Sequence, residues 1–174
     1  MPSDLPSRPP SRMSRAEFVE RFGGVFEHSP WIAEAAFDAG LAGDADSAAG
    51  LHARLCRVFR AASPERQMEV VLAHPDLAGR LALAGGLTAD STSEQKSAGL
   101  DSCTPAELAR FIALNDAYKA RFGMPFIMAV KGSGRAEILA AFEKRLDNAP
   151  GVERQTALAQ IERIARLRLE AMLG

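Results

Sequence analysis

Thr104-Pro105-Ala106-Glu107-Leu108-Ala109-Arg110-Phe111-Ile112-Ala113-Leu114-Asn115-Asp116-Ala117-Tyr118-Lys119-Ala120-Arg121-Phe122-Gly123 reads as one long helix. Met124-Pro125-Phe126-Ile127-Met128-Ala129-Val130-Lys131 is the chain that leaves it. The first four residues form a capping-box pattern, in which Thr104 accepts from the third backbone amide and Glu107 reaches back to the cap. Leu108, Phe111, Ile112, Asn115 and Tyr118 recur at helical spacing, and Gly123 is the left-handed residue that ends such a helix. Phe126 to Val130 is the strongly apolar run of the chain that reads as extended, a short strand or an irregular segment. An isolated strand has nothing to pair with, so it cannot found a sheet. The fold class predicted is therefore all-α, with one short extended segment near 126–130.

The same start and stop signals recur on both sides. Ser14-Arg15-Ala16-Glu17 is another capping box, followed by Phe18, Val19 and Phe22 until Gly23-Gly24 stops the helix. Ser29-Pro30 predicts a helix with Ser29 as cap and Pro30 in the first turn, burying Trp31, Ile32, Ala35 and Ala36. A third helix starts at Ser47 and carries Leu51, Leu55, Val58 and Phe59. Ser63-Pro64 opens a fourth, with Met68, Val71 and Leu72 facing inward. His74 ends it, because a residue before proline is pushed out of the helical region. Gly79, Gly85 and Gly86 keep residues 75–90 irregular, and Ser91-x-x-Glu94 predicts the capping box of a short helix that stops at Gly99. Gly132-Ser133-Gly134 leads into a helix with Ile138, Leu139, Phe142 and Leu146. Pro150-Gly151 precedes a last one that turns Leu158, Ile161, Ala165 and Leu169 inward. About eight helices without an internal repeat predict one all-α domain over residues 14–174, and the Pro- and Ser-rich residues 1–13 read as a disordered tail.

Bulk chemistry excludes several classes. The 174 residues carry 21 basic and 22 acidic side chains, a net charge of −1, so nothing draws the chain to nucleic acid or to an anionic membrane surface. No apolar run approaches the roughly 20 residues that a bilayer crossing needs. Cys56 and Cys103 share no spacing motif and suit a reducing compartment. The three histidines, His28, His52 and His74, form no metal-binding pair, so no metal site is expected. The N-terminus shows no secretory signal and the last residues no Ser-Lys-Leu-type tripeptide, so a cytoplasmic location is expected.

Three irregular places concentrate chemistry. His74 sits at a helix C-terminus with Pro75 fixing its backbone, and the negative end of the helix favours its imidazolium, the form a general acid needs. Its bland alternative is a capping role for the last carbonyls. His28 and His52 read as boundary residues without chemistry. Glu94 lies among Ser91, Thr92, Ser93 and Gln95, whose hydroxyl and carboxamide groups suit a ligand that both donates and accepts hydrogen bonds. Capping by Ser91 and Glu94 accounts for part of that pattern. Phe126 to Val130, if extended and unpaired, must find partners for its backbone N–H and C=O groups, and a ligand with amide edges is one such partner. Arg121, Lys131, Arg163, Arg166 and Arg168 read as solvated or ion-paired, any one of them able to hold a carboxylate.

Read as an ordered set, the motifs carry more. Ala-His-Pro-Asp-Leu-Ala-Gly at 73–79, Leu-Thr at 87–88 with Ser91 and Glu94-Gln95, and Ala-Gly-Leu at 98–100 come first. Asn115-x-x-Tyr118, Arg-Phe-Gly-x-Pro-Phe-Ile at 121–127 and Ile-Ala-Arg-Leu-Arg-Leu at 164–169 follow. This series resembles the 2-oxo-4-hydroxy-4-carboxy-5-ureidoimidazoline (OHCU) decarboxylase family over nearly the whole chain from Ser14. Met124 is a departure, standing where that family commonly has Phe, and as a flexible apolar residue it fills a similar space. The resemblance implies an all-α, cofactor-free decarboxylase, a homodimer, that makes (S)-allantoin from OHCU with stereospecific protonation. It implies His74 as proton donor with Glu94 beside it. It also implies Pro75, Ser91, Thr92, Ser93, Glu94, Gln95, Phe126, Ile127, Met128, Ala129 and Val130 as substrate contacts. The reading weighed against it is a helical module that binds a ligand or protein and performs no chemistry.

Overall fold

The structure is a computed structural model that describes residues 8–174, apart from the side chains of Arg80 and Leu81. It is all-α. Among the described residues there is no strand, and eight α-helices have eight or more residues: α1 (Arg15–Phe22), α2 (Trp31–Asp38), α3 (Ala48–Ala61), α4 (Pro64–Ala73), α6 (Ala89–Ser97), α7 (Pro105–Phe122), α8 (Arg135–Leu146) and α9 (Pro150–Leu173). A single turn, α5 (Arg80–Leu83), and three 3-10 turns complete the list. Residues 1–7 of the expected tail lie outside the described residues. Pro10–Arg12 forms a 3-10 turn, with Pro10 buried and Ser11 bonded through N and Oγ to the Asp46 carboxylate at 2.7 and 2.8 Å.

Most helix starts follow the local code. Ser14 and Thr104 complete their capping boxes, and Ser47 accepts from the Gly50 N–H at 3.0 Å. Gly123, at φ 68°, ends α7 in the left-handed conformation that only glycine adopts cheaply. Three expectations are corrected. Ser29 does not cap α2; its hydroxyl donates to the Glu27 carbonyl, and Pro30 takes the cap position. Leu72 is 55 % exposed, and Val70 is buried in α4 with Val71. Residue 72 falls beyond the narrow buried stripe, although its chemistry matches it. Finally, α6 begins at Thr88, whose hydroxyl accepts from Ser91 N, so Ser91 is a residue of the first turn and Glu94 lies mid-helix.

Packing divides the chain into two compact units. One runs to Val70 and takes back Ala165–Gly174; its core holds Phe18, Phe22, Phe26, Ile32, Leu51, Leu55, Phe59 and Leu169. Phe18 packs tilted on Phe22 and Phe37, and Phe26 on Phe59. The other, Val71–Ile164, holds Phe111, Leu114, Tyr118, Phe126, Ile138, Phe142 and Ile161 in its core. All three irregular segments singled out in the sequence belong to this second unit.

Candidate active site

His74 follows the last residue of α4, donates its backbone N–H to the Val71 carbonyl at 3.2 Å, and is only 8 % exposed. The loop after it is clamped by three side chains. Gln95 uses both ends of its carboxamide: Oε1 accepts from Ala78 N–H at 3.0 Å, and Nε2 donates to the Asp76 carbonyl at 3.1 Å. Asn115 Nδ2 donates to the Leu77 carbonyl at 2.8 Å, and Lys119 Nζ meets the Asp76 carboxylate at 2.6 Å. The clamp has something to hold. Ala78 is buried at φ 48°, in the left-handed region that costs a residue with a Cβ about 1–2 kcal/mol. At Gly79 an added Cβ would stand 2.5 Å from Asp76 Cβ, so the turn closes this tightly only on glycine. Asn115 Oδ1, on the same clamp, is buried without a hydrogen-bond partner among the described residues.

The true start of α6 sorts the polar cluster. Ser91 and Gln95 are buried and Glu94 is half-buried, on the shared face that i, i+3 and i+4 spacing produces. Thr92 and Ser93 are exposed, and the Thr92 hydroxyl donates to the Thr88 carbonyl at 2.8 Å. Of the expected five-residue segment, Ser91, Glu94 and Gln95 therefore face inward, and Thr92 and Ser93 lie on the exposed side. With Thr88 as cap and its hydroxyl taking the Ser91 N–H, the helix end lies at residues 88–91 and not in the neighbourhood of Glu94.

Phe126 to Val130 has no regular secondary structure and is held by side chains in place of a strand. Arg145 Nη1 donates to the Ile127 carbonyl at 2.7 Å, and Gln160 Oε1 accepts from Ala129 N–H at 2.9 Å. The Phe126 ring stacks on Phe142 with centroids 3.8 Å apart and lies 4.3 Å under the Arg145 guanidinium carbon. Arg145 is in turn gripped by Glu153, which is 0 % exposed and also takes bonds from the Tyr118 hydroxyl and from Asn148 Nδ2. Burial alone would push the Glu153 carboxyl up. The bonds from Arg145, Tyr118 and Asn148 outweigh it and leave the group below the usual carboxylate range. Burial, with the bond to Glu153, pushes the Tyr118 phenol up.

The basic side chains separate in the same way. Arg168 is buried and bonded to the Glu27 carboxylate at 2.8 Å and the Gly24 carbonyl at 3.2 Å, so of the two expected states, solvated or ion-paired, it takes the ion pair. Arg166 pairs with Glu170 one turn on, Arg121 donates to the Asn148 carbonyl, and Lys131 and Arg163 are exposed. His52 Nε2 stands 3.2 Å from Cys56 Sγ, and His28 is exposed. A cavity of about 390 Å³ has Ala78, Leu83, Thr92, Gln95, Leu100 and Leu108 in its wall; it reaches the Gln95 clamp but is not lined by His74 or by Phe126–Val130. Among the described residues, no group of three or more His, Cys, Asp or Glu side chains is placed to hold a metal ion.

Sequence reasoning missed Lys119, Arg145, Glu153 and Gln160 as parts of this region, and read Asn115 only as a residue of a helix face. For Asn115 the signal existed: a carboxamide on an otherwise apolar stripe must find a buried partner. The remaining four look like ordinary helix-surface residues in the one-dimensional pattern.

Comparison with known proteins agrees along the chain. The family model described as OHCU decarboxylase matches residues 11–170. The 2-oxo-4-hydroxy-4-carboxy-5-ureidoimidazoline decarboxylase of Haloferax volcanii is 40% identical over 91% of this chain and 90% of its own. A crystal structure of (S)-allantoin synthase superposes with a TM-score of 0.72 at 32% identity, over 93% of this chain and 52% of that one. A crystal structure of OHCU decarboxylase in the presence of (S)-allantoin superposes with a TM-score of 0.68, over 86% of this chain and 94% of that one. At 23% identity this second superposition speaks for the fold alone.

Proposed function

This chain belongs to the OHCU decarboxylase family, and we propose that it is a carboxy-lyase converting OHCU to (S)-allantoin and carbon dioxide in urate degradation. The observation that carries the residue assignment is the clamped loop: a strained, buried turn is fixed by Gln95, Asn115 and Lys119 directly after His74. Local strain of this kind persists only where its surroundings hold it, and it concentrates at functional sites.

The chemistry follows from the substrate. Its carboxyl and hydroxyl groups share one ring carbon, and the neighbouring carbon carries the ureido arm and a C=N bond. When the bond to carbon dioxide breaks, its electron pair forms a double bond between the two ring carbons and the imine nitrogen takes up a proton. The electron sink is thus in the ring itself. The hydroxyl then becomes the ring carbonyl as the ureido-bearing carbon is protonated, and the face that receives the proton fixes the hand of the product. The protein's part is to orient the carboxylate, to place a donor at the imine nitrogen where charge develops, and to deliver the proton to carbon. His74 delivers it, on a backbone that the clamp keeps still. Glu94 supplies an acceptor for the ureido N–H groups and for the His74 ring. Pro75, Ser91 and Phe126–Val130 form the contact surface; Gln95 acts through the loop it holds. Thr92, in the wall of the cavity that reaches Gln95, and the exposed Ser93 are the outer members of the contact segment.

A homodimer and a cytoplasmic location complete the reading, supported by the family resemblance; light scattering after gel filtration tests the first. No described helix is long and apolar enough to cross a membrane. The deciding experiment mixes the protein with freshly generated OHCU and follows allantoin by circular dichroism. The circular-dichroism signal of (S)-allantoin, rising well ahead of spontaneous decay, is expected, and racemic product at the spontaneous rate leaves only a binding module. His74→Asn should lower kcat by about 10²–10⁴-fold with the fold intact, the range of a lost general acid.

A further inference from the structure

We propose that Arg145 and Gln160 are positioning residues that aim the backbone N–H and C=O of Met128, as a paired donor and acceptor, at the amide edge of the substrate. The inference rests on the reading of Phe126–Val130 as a substrate contact.

A trans peptide is planar, and its C=O and the following N–H point in opposite directions. Arg145 holds the Ile127 carbonyl, so the N–H of Met128, across the same peptide plane, points away from Arg145. Gln160 holds the Ala129 N–H, so the carbonyl of Met128, across the next plane, points away from Gln160. Both groups belong to one residue, so the donor and the acceptor lie on either side of a single Cα. Neither group of Met128 finds a partner among the described residues, and Met128 is half-buried where its neighbours are buried. The segment thus carries one donor and one acceptor side by side. A ureide presents the same pair, N–H next to C=O, and the two match as two strands match across a ladder.

The anchors are built to keep this aim. Arg145 uses Nε and Nη2 on Glu153 and Nη1 on Ile127, and its planar fork fixes those directions together. Glu153 cannot shift to follow a moving arginine, because Tyr118 and Asn148 hold it as well. A buried ion pair is poor value for stability alone, since apolar residues of similar volume often do as well. A guanidinium does what an apolar side chain cannot, which is to hold a carbonyl that has no ladder to join.

The test uses Gln160→Met, Gln160→Glu and Arg145→Lys in the full chain. Gln160→Met keeps the length and loses the acceptor; Gln160→Glu keeps an acceptor for Ala129 N–H. Gln160→Met and Arg145→Lys should raise KM, and the Kd of (S)-allantoin by calorimetry, about ten- to a hundredfold. Their kcat should change far less, and the enantiomeric excess at saturating enzyme should fall. Gln160→Glu should restore most of the affinity. A merely structural role would lower the fraction of active protein without touching the enantiomeric excess. If Arg145→Lys does not fold, the Gln160 pair decides alone. Folded Gln160→Met with parental KM, Kd and enantiomeric excess overturns the inference. An unsubstituted chain that forms no optically active allantoin overturns the functional reading instead.

Discussion

Residues 74–79 and 126–130 both run without a backbone ladder, yet the first is held by neutral carboxamides and the second by a buried ion pair. Gln95 and Asn115 bond the carbonyls of Asp76 and Leu77 and the N–H of Ala78, and in the charged contact there, Lys119 with Asp76, the lysine side chain stays 41% exposed. Around Phe126–Val130 the reverse holds: Arg145 and Glu153 are sealed in the core and Gln160 plays the smaller part. The difference follows from what each anchor must resist. The first loop carries its own strain at Ala78 and needs both a donor and an acceptor within one peptide's reach, which a carboxamide supplies. The second has a single carbonyl to capture deep among aromatic rings, where only a guanidinium brings enough donors to satisfy both that carbonyl and its own counter-ion.

The comparison breaks most sharply at Glu153. Glu153→Ala leaves the Arg145 charge buried without its partner and should cost about 3–5 kcal/mol, read as a lower urea midpoint. Glu153→Gln keeps the shape and should cost less. Acid should reproduce part of the loss. The Glu153 carboxyl is held below its ordinary value, so its contribution is complete above pH ~4.5 and disappears as pH falls through the lower, folded-state value. Urea titrations of the parent and Glu153→Gln between pH 3 and 7 should therefore differ most near neutrality and converge in acid. A gap of constant size across that range would place the effect elsewhere.

At the neutral clamp the same logic gives a smaller number. Gln95→Ala removes two hydrogen bonds and strands the Ala78 N–H and the Asp76 carbonyl. It should cost about 1–3 kcal/mol, with kcat falling because the backbone behind His74 loosens. A Gln95 variant with full kcat and unchanged melting would remove the clamp from the account.

What the sequence made legible was local. Ser14, Ser47, Thr104 and Gly123 act within one turn of themselves, so their roles could be read without the fold. Thr88 and Ser91 show the limit: both stand where a cap could, three residues apart, and only the extended backbone at Thr88 and its bond from the Ser91 N–H decide between them. His74 was visible because Pro75 marks a helix end. Arg145 and Glu153 were not, since they stand on either side of an Asp-Asn-Ala-Pro-Gly turn and charge on a helix is solvated by default. Their burial is set by Phe142, one turn before Arg145 on α8, and by Phe126 and Tyr118, which arrive from other elements. Local chemistry thus announced which segments were irregular, and only packing showed what keeps them so.

The smallest expected effect is the one that isolates strain from bonding. Ala78 pays for a left-handed backbone that glycine adopts freely, but glycine also gives the unfolded chain more freedom, worth about 0.4–1 kcal/mol against folding. The two nearly cancel, so Ala78→Gly should change stability by less than about 1 kcal/mol while leaving the Gln95 bonds in place. Ala78→Val carries the same bonds into a conformation that a β-branched residue resists, and it should unfold well before the parent. If the clamp holds the loop against strain, the glycine variant needs it less, and Gln95→Ala should cost less in the Ala78→Gly background than alone. Strict additivity in that double-mutant cycle would mean that Gln95 and the Ala78 conformation are neighbours without being coupled.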